Sequence, residues 1–340
     1  MPQIHLVLAD YDFEYVNHLA QWFIENKPNQ FKISSFTEKE SFKRFISENK
    51  DSVNIILARE DFLIESTDHN VESIVLGQAV ELTDLPAIEK YQPAPSICSD
   101  ILSVLSNNQT RAEKWFTFGK SHLIACFSTN IYLKSTLALL LSYLSTDYVY
   151  ISLDSFPLYK IGENFQAYNK NLSDILYHIK SQKGNPVIAL ESAVFTDSSN
   201  INFIPPLDNP KDLWELTDNE ADIFIEALTS WGHFSKIIAD LECNTGPITI
   251  KLLEAASNIF IPFDKTHLHQ IPRIKSFLNS IRGLNSDKIA WIFCGRNEEI
   301  LLSEELDNLH ELLWLNESIA TMDGFSLDTD KRRQLEGLLN

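Results

Sequence analysis

The sequence has no excess of basic charge and no long apolar run. Its 340 residues carry a formal net charge of −19, of which −9 falls in residues 1–108 and −10 in the remainder. Such a negative field repels nucleic-acid phosphates and anionic lipid surfaces, and no local basic patch offsets it. No apolar run approaches the roughly 18 residues that a membrane-spanning helix needs. We therefore expect neither nucleic-acid binding nor an integral membrane segment.

Closely spaced cysteines and a secretory signal are also absent. The four cysteines form no Cys-x-x-Cys pair, and Cys126 and Cys294 fall inside apolar runs. This pattern favours buried free thiols in a reducing compartment over disulfides or a zinc site. The amino terminus shows no basic segment followed by an apolar core. We therefore predict a cytoplasmic protein without a metal site.

A regular alternation of strand and helix patterns fills the first 105 residues. Short apolar or alternating runs are separated by segments whose apolar residues recur at helical spacing. This alternation predicts an α/β domain with a doubly wound parallel sheet of flavodoxin-like order. The predicted strands are 4–9, 31–36, 53–57, 74–76 and 87–91, and the predicted helices follow residue 12 and span 39–49 and 96–105.

The strand order and the acidic pair Asp10 and Asp12 resemble the receiver domains of two-component response regulators. In that family, two acidic residues help hold Mg²⁺, an aspartate that ends the third strand accepts a phosphoryl group, and a lysine in strand five contacts it. Lys90 matches the lysine, but Arg59 follows the third strand where the acceptor belongs, which removes aspartyl-phosphate chemistry. The simpler alternative is that Asp10 and Asp12 cap the first helix. We expect this domain to bind a protein.

A polar stretch, Ser106–Lys114, interrupts the periodicity and predicts a boundary between two domains, residues 1–108 and 109–340. With 44% apolar residues, the chain has enough for two separate cores. The second part again alternates strand and helix, which predicts a second doubly wound parallel sheet. Its predicted strands are 123–127, 148–153, 201–204, 235–240, 258–263, 288–294 and 312–315, and its predicted helices begin near 133, 171, 218, 267 and 330.

The stretch His122–Thr136 reads as strand, loop and helix, which is where nucleotide-binding proteins place a phosphate cradle. A P-loop has the pattern G-x-x-x-x-G-K-[ST], and Lys134, Ser135 and Thr136 supply its ending. No glycine lies between Ser128 and Lys134. Cβ atoms should therefore crowd the path that wraps a phosphate. The tripeptide Gly119-Lys120-Ser121 precedes the strand and is in the wrong context for this role.

The order of motifs after His122 resembles the MinD/ParA group of P-loop ATPases. The resemblance implies that Lys134 contacts phosphate, that Ser135 binds Mg²⁺, and that Asp154 and Asp240 match two aspartates of the family site. Phe156 stands where the family has the aspartate that positions the attacking water. The family's additional lysine near the start of the loop has no counterpart, and the loop is one residue short.

These departures predict a pseudo-ATPase, because phosphoryl transfer depends on positioned charge. No cofactor is expected, and bound ATP with Mg²⁺ is the alternative. Lys134 has a simpler alternative as a solvated residue on the first helical turn, and Asp154 and Asp240 as caps or turn residues. A final helix over 330–339 is expected to pack on the protein and not to act as an amphipathic membrane anchor.

A receiver-like domain followed by a MinD/ParA-like domain resembles the TadZ/CpaE family. Those proteins localise the assembly machinery of type IVb (Flp/Tad) pili at the bacterial cell pole. The resemblance implies a non-catalytic or weakly catalytic scaffold, homodimeric through the ATPase-like face. It also implies protein partners from secretion, pilus assembly or signalling, which would hold it at the pole or inner membrane. Two rival functions are an active ATP-dependent dimerisation switch and a receiver-based signalling adaptor.

Overall fold

The structure, a computed structural model, describes residues 4–27, 30–49, 52–63, 71–77, 85–106, 119–158, 168–182, 184–295, 306–315 and 327–339. The chain forms two compact units, Met1–Thr117 (unit 1) and Phe118–Asn340 (unit 2). The predicted linker, Ser106–Lys114, lies outside the described residues except for Ser106. The predicted boundary after residue 108 therefore stays a prediction.

The described part of unit 1 contains a five-stranded parallel sheet. Its strands are β1 (Ile4–Ala9), β2 (Phe31–Phe36), β3 (Ile55–Ala58), β4 (Glu72–Leu76) and β5 (Ala87–Ile88). They lie in the order β2-β1-β3-β4-β5, and every pair is parallel. This is the flavodoxin-like order, as predicted. The central strands β1 and β3 are buried along their whole length, as a sheet covered on both faces requires.

The helices of unit 1 are α1 (Phe13–Asn26), α2 (Lys39–Glu48), α3 (Glu60–Leu63) and α4 (Ala94–Ser106). Helix α1 buries Val16, Leu19, Ala20 and Phe23, which are the residues whose spacing predicted it. Its apolar stripe faces the core because residues three and four apart lie on one side of a helix. The packing of α1 therefore fixes the position of the β1–α1 loop at the carboxyl end of the sheet.

Unit 2 is built on a sheet of eight strands in its described part. They are β6 (His122–Cys126), β7 (Tyr148–Leu153), β8 (Phe195–Thr196), β9 (Asn202–Ile204), β10 (Lys236–Leu241), β11 (Asn258–Phe263), β12 (Ile289–Phe293) and β13 (Leu309–Glu311). The order is β13-β12-β11-β6-β10-β7-β9-β8. Neighbouring strands are parallel except for β8, which pairs antiparallel with β9 at the edge. The predicted α/β class is confirmed in both units.

Along the chain, the helices of unit 2 lie between successive strands, except for the last helix, which follows β13. They are α5 (Ile131–Ser142), α6 (Leu172–Lys180), α7 (Pro186–Ser192), α8 (Lys211–Trp214), α9 (Asp218–Thr229), α10 (Pro247–Ala255), α11 (Ile271–Ser280) and α12 (Thr329–Leu338). Separate apolar clusters line the two faces of the sheet, and Leu123 and Ile124, which are neighbours on β6, belong to different clusters. Successive residues of a strand face opposite sides, so β6 is buried on both.

The strand register decides which side chains meet at the carboxyl edge of unit 2. Strand β10 lies between β6 and β7, and Asp240 is level with Cys126 on one side and Ser152 on the other. Asp154 follows two residues after Ser152. Both aspartates therefore emerge beside the loop that leads from β6 into α5.

The helix predicted to begin near residue 267 starts later in the structure. A 3-10 helix spans Lys265–Gln270, and α11 begins at Ile271 with Pro272 in its first turn. Proline suits the first turn of an α-helix but clashes with an α-helical turn before it. The strand predicted at 312–315 is wrong, because β13 spans Leu309–Glu311.

The carboxyl-terminal helix α12 packs on the protein, as predicted. Leu335 and Leu338 are buried in the same apolar cluster as the inner face of α5. Arg332 also donates a hydrogen bond from Nη2 to the carbonyl oxygen of Leu144 at 2.5 Å. Within the described ranges, no helix is long and apolar enough to cross a membrane.

Candidate functional site

Lys134 lies in the first turn of α5, and three oxygen atoms from the neighbouring strand ends surround its ammonium group. The Nζ atom is 2.5 Å from Asp154 Oδ2 and 2.7 Å from Asp240 Oδ1. It also donates a hydrogen bond to the carbonyl oxygen of Leu241 at 2.7 Å. The ammonium thus donates hydrogen bonds to Asp154 and Leu241 and forms an ion pair with Asp240. Lys134 is 1% exposed, and the alternative of a solvated lysine is therefore wrong.

The charges of this triad, Lys134 with Asp154 and Asp240, are set by burial and mutual attraction. Burial opposes the charged form of Lys134, but the attraction of Asp240 and Asp154 outweighs it and raises the pKa of the lysine. Burial also raises the pKa of Asp240, more than Lys134 lowers it. Both directions follow from one ammonium facing two carboxylates in a buried site. The Lys134 ammonium therefore stays protonated at neutral pH.

Other predicted site residues lie around this triad. Ser135 is fully buried, and within the described residues its hydroxyl has no hydrogen-bond partner. Thr136 is also buried on α5. Tyr150, which the sequence did not single out, donates its hydroxyl to Asp240 Oδ2 at 3.0 Å, and burial raises the pKa of this tyrosine well above its usual range. The sequence signal for Tyr150 is its spacing. It lies four residues before Asp154, and residues at even spacing along a strand face the same side.

The amino terminus of α5 is capped by its own chain. Asn130 accepts a hydrogen bond from the Leu133 amide on Oδ1 at 3.2 Å and one from the Lys134 amide on its carbonyl oxygen at 3.0 Å. The Asn130 amide in turn donates to Ser128 Oγ at 3.0 Å. The Leu133 amide is one of the donors that a helix terminus offers to an anion, and the Lys134 bond is the first regular bond of the helix. Asparagine is a favoured cap residue, so its place three residues before Leu133 is the sequence signal for this arrangement.

Side chains also tie the loop to the end of β11. Ser128 donates its hydroxyl to the carbonyl oxygen of Pro262 at 2.5 Å, and Asn130 Nδ2 donates to Asp264 Oδ2 at 2.9 Å. Asp264 Oδ1 lies 2.8 Å from His267 Nδ1. Although burial opposes it, hydrogen bonds from Thr266 and His267 lower the pKa of Asp264. The loop is thus fixed by polar contacts in place of a glycine-rich backbone.

Phe156 lies in the segment after β7. It is the residue at the position where the MinD/ParA resemblance implies a water-positioning aspartate. Phe156 is 79% exposed. Ser155 beside it donates its hydroxyl to Glu242 Oε2 at 2.5 Å and accepts from Trp214 Nε1 at 3.3 Å. The hydrogen bonds of Ser155 therefore hold this segment beside Glu242 and Trp214.

These residues do not fit a bound triphosphate. The ammonium that should reach a phosphate is enclosed by Asp154, Asp240 and a carbonyl oxygen. The Leu133 amide, one of the helix amides that could cradle an anion, is bonded to Asn130. A phosphate would have to displace both sets of contacts, and Cβ atoms line the loop in place of glycine.

The tripeptide Gly119-Lys120-Ser121 has a structural role before β6. Ser121 donates its hydroxyl to the carbonyl oxygen of Phe234 at 2.7 Å and accepts from the Gly232 amide at 2.9 Å. A Cβ atom on Gly232 would meet the Gly119 backbone at 2.2 Å, so two backbones cross closely there. This segment lies at the amino ends of the strands, as its exclusion from the phosphate site requires.

The carboxyl edge of unit 1 holds a second lysine between two aspartates. Lys90 Nζ lies 3.0 Å from Asp10 Oδ2 and 3.5 Å from Asp12 Oδ2, and the lysine side chain is 16% exposed. Burial lowers the pKa of Lys90, but the hydrogen bond and charge of Asp10 outweigh it and raise the pKa. The structure thus brings together the three residues that the receiver resemblance singled out.

Two further contacts complete this edge. Asp12 accepts a hydrogen bond from the Tyr15 amide at 3.1 Å, which confirms its role as the cap of α1. Arg59 follows β3 and pairs with Asp61 at 3.2 Å. The position directly after β3 is therefore occupied by a cation with its own partner.

No protein-family model and no curated protein matches the chain. Among solved structures, a putative plasmid partition protein from Borrelia burgdorferi bound to AMPPNP is 18% identical and covers 65% of this chain and 97% of that chain, with a TM-score of 0.47. The ParA family ATPase from Chlorobium tepidum is 13% identical over 64% of this chain and 90% of that chain, with a TM-score of 0.44.

A third structural match is the MinC:MinD cell division protein complex from Aquifex aeolicus. It is 15% identical and covers 52% of this chain and 69% of that chain, with a TM-score of 0.37. At these identities and TM-scores, the neighbours identify no activity for this chain. The strand order and the lysine site carry the argument.

Proposed function

We propose that the protein is a non-catalytic positioning and assembly scaffold that works without bound nucleotide, as the TadZ/CpaE resemblance implies. The observation that carries the proposal is the enclosure of the Lys134 ammonium by Asp154 and Asp240. A P-loop lysine acts by reaching the outer phosphates. Here the same residue supplies the charge that holds two buried carboxylates. The predicted site is thus the remains of a nucleotide site. Its residues are Lys134, Ser135, Thr136, Asp154 and Asp240.

The physical reason is the cost of exchanging partners. Withdrawing the ammonium from the triad leaves two carboxylates facing each other in a buried site, and removing one member of a buried charge pair costs about 3–5 kcal/mol. A triphosphate would also have to displace the Asn130 side chain from the Leu133 amide. The contacts that a phosphate offers would replace existing charge-assisted bonds and would add few new ones.

We propose that the scaffold is a homodimer formed through the carboxyl edge of unit 2. Phe156 and Tyr132 are exposed there, and Tyr132 lies in the first turn of α5. Exposed aromatic residues are the usual anchors of protein interfaces. Because no phosphate is needed to complete this face, the dimer should form without nucleotide. Protein partners of the pilus-assembly or secretion type would then hold the cytoplasmic dimer at the pole or inner membrane.

Sedimentation analysis of the full chain tests this function. We expect a dimer at micromolar protein, unchanged by Mg-ATP, and a shift to monomer in Phe156→Asp because the new charge would be buried in the interface. Tyr177→Asp is the matched control, since Tyr177 is an exposed aromatic residue on α6. A dimer that forms only when Mg-ATP is added would support the rival dimerisation switch and overturn the proposal.

A further inference from the structure

Three exposed aromatic side chains lie at the carboxyl edge of unit 1. Tyr11 lies in the loop after β1, Phe13 is the first residue of α1, and Tyr91 follows β5. Phe13 is 67% and Tyr91 is 81% exposed, and Tyr11 is about half exposed. Single exposed apolar residues are common, but several at one edge mark an interaction surface. We call Tyr11, Phe13 and Tyr91 the aromatic edge.

Contacts within unit 1 hold this edge in place. Tyr15 on α1 donates its hydroxyl to the carbonyl oxygen of Lys90 at 2.6 Å, and its ring centroid is 5.9 Å from that of Tyr91. Tyr11 packs on buried Phe62, with centroids 4.7 Å apart. Rings that are already positioned lose little conformational entropy when a partner binds.

Two of the three rings of this edge, those of Tyr11 and Tyr91, already contact cations of the chain itself. The Arg59 guanidinium carbon lies 5.5 Å from the Tyr11 centroid. Lys90 Nζ lies 5.3 Å from the Tyr91 centroid and 4.8 Å from that of Tyr15. These distances are within the range of cation–π attraction. The exposed part of each ring leaves room for a further cationic group.

The surrounding charge favours a cationic partner. Segments 10–14, 59–61 and 89–91 contain six acidic residues and two basic residues, for a net charge of −4. Lys90 and Arg59 already pair with carboxylates of the edge. The side chains of Asp12 and Asp61 remain 41% and 46% exposed, so both can accept further hydrogen bonds from a partner.

We propose that the aromatic edge is a docking surface for a basic segment of a partner protein. Arginine or lysine side chains of the segment stack on the exposed faces of Tyr11, Phe13 and Tyr91 and pair with Asp12 and Asp61. Rings supply the anchoring contacts and carboxylates supply the preference for positive charge. This surface is separate from the unit 2 triad, so its role does not depend on nucleotide or on dimerisation.

Fluorescence anisotropy with the full chain tests the proposal, and the probe is a labelled peptide of alternating arginine and glycine. The salt concentration is about 150 mM, where the Debye length is about 8 Å and distant charges are screened. We expect saturable binding that weakens about tenfold or more in Tyr11→Ser/Phe13→Ser/Tyr91→Ser, which leaves the net charge unchanged. A peptide of alternating glutamate and glycine should not bind.

Ile24→Ser is the matched control, because Ile24 is an exposed apolar residue elsewhere on α1. It should bind the arginine peptide as the wild type does. The triple variant should keep the wild-type circular dichroism spectrum, and Asp61→Asn should weaken binding by a smaller factor. Equal binding by the triple variant and the wild type, or no binding by the wild type, would overturn the proposal. Loss of binding in Ile24→Ser as well would also overturn it.

Discussion

Each unit of the molecule places a lysine between two aspartates at the carboxyl edge of a parallel sheet, but only one of the two lysines is buried. Lys134 lies 2.5 and 2.7 Å from its partners and is 1% exposed. Lys90 lies 3.0 and 3.5 Å from Asp10 and Asp12 and is 16% exposed. Both lysines pair with two aspartates, but water reaches Lys90 and hardly reaches Lys134. Burial therefore decides how far each unit depends on its lysine.

The comparison also separates two uses of the same charges. In unit 1, water and partner proteins can reach the ammonium and the carboxylates, so the edge can take part in binding. In unit 2, the Lys134 ammonium contacts only groups of the fold itself among the described residues. The sealed site stabilises unit 2, and the open site gives unit 1 a charged surface.

The largest expected effect is that of Lys134→Met. Removing the ammonium leaves Asp154 and Asp240 buried without a counter-charge, and we expect the free energy of unfolding to fall by about 3–5 kcal/mol. Urea unfolding followed by tryptophan fluorescence measures it. The double variant Lys134→Met/Asp240→Asn should recover part of the loss, because one carboxylate is gone. A loss below about 1 kcal/mol in the single variant would mean that the buried triad is not formed.

Lys90→Met is the matched change in unit 1. Water reaches this site, so we expect a smaller loss of about 1–2 kcal/mol, between the values for exposed and buried pairs. The same urea experiment measures it. If the losses for Lys90→Met and Lys134→Met were equal, burial would not be what distinguishes the two sites.

Asn130→Ala tests the cap that closes the helix terminus of unit 2. Loss of the side-chain acceptor for the Leu133 amide should cost about 1 kcal/mol. Asn130→Ser is the control, because serine is also a good cap and should restore most of the loss. Thermal unfolding of the three proteins compares them. If serine is no better than alanine, the Asn130 bond to Asp264 matters more than the cap.

The smallest expected effect is on alkaline stability. The pKa of Lys134 is raised in the folded state above its ordinary 10.5, so its contribution is complete below pH 10.5 and is lost as pH rises through the folded pKa. The difference in unfolding free energy between wild type and Lys134→Met should therefore narrow by less than about 1 kcal/mol at pH 11. Urea unfolding at pH 9 and pH 11 measures it, and a widening difference would contradict the assigned charge state.

The sequence predicted more of the fold than of the site. Alternating patterns located the central strands because buried parallel strands are short apolar runs. The missing glycines predicted an obstructed loop. The burial of Lys134 was not predictable in the same way, because it depends on β10 lying between β6 and β7. Asp240 is 106 residues from Lys134 in sequence, and no local pattern states that they meet.

Local chemistry explains the remaining differences. Pro272 restricts the start of α11 and replaces the predicted long helix by a 3-10 turn followed by an α-helix. Strand β13 was misplaced because Leu312 and Leu315 are buried after the strand ends, and an apolar run alone does not distinguish a strand from a buried turn. Asn130 was readable as a helix cap, and its significance for the phosphate site appears only with the fold.

Calorimetric titration of Mg-ATP into the full chain tests the central claim, that Lys134 is committed to Asp154 and Asp240 and does not serve a phosphate. The account predicts no saturable heat at nucleotide concentrations up to about 1 mM, equivalent to binding weaker than about −4 kcal/mol. Saturable binding with a Kd in the micromolar range would contradict it.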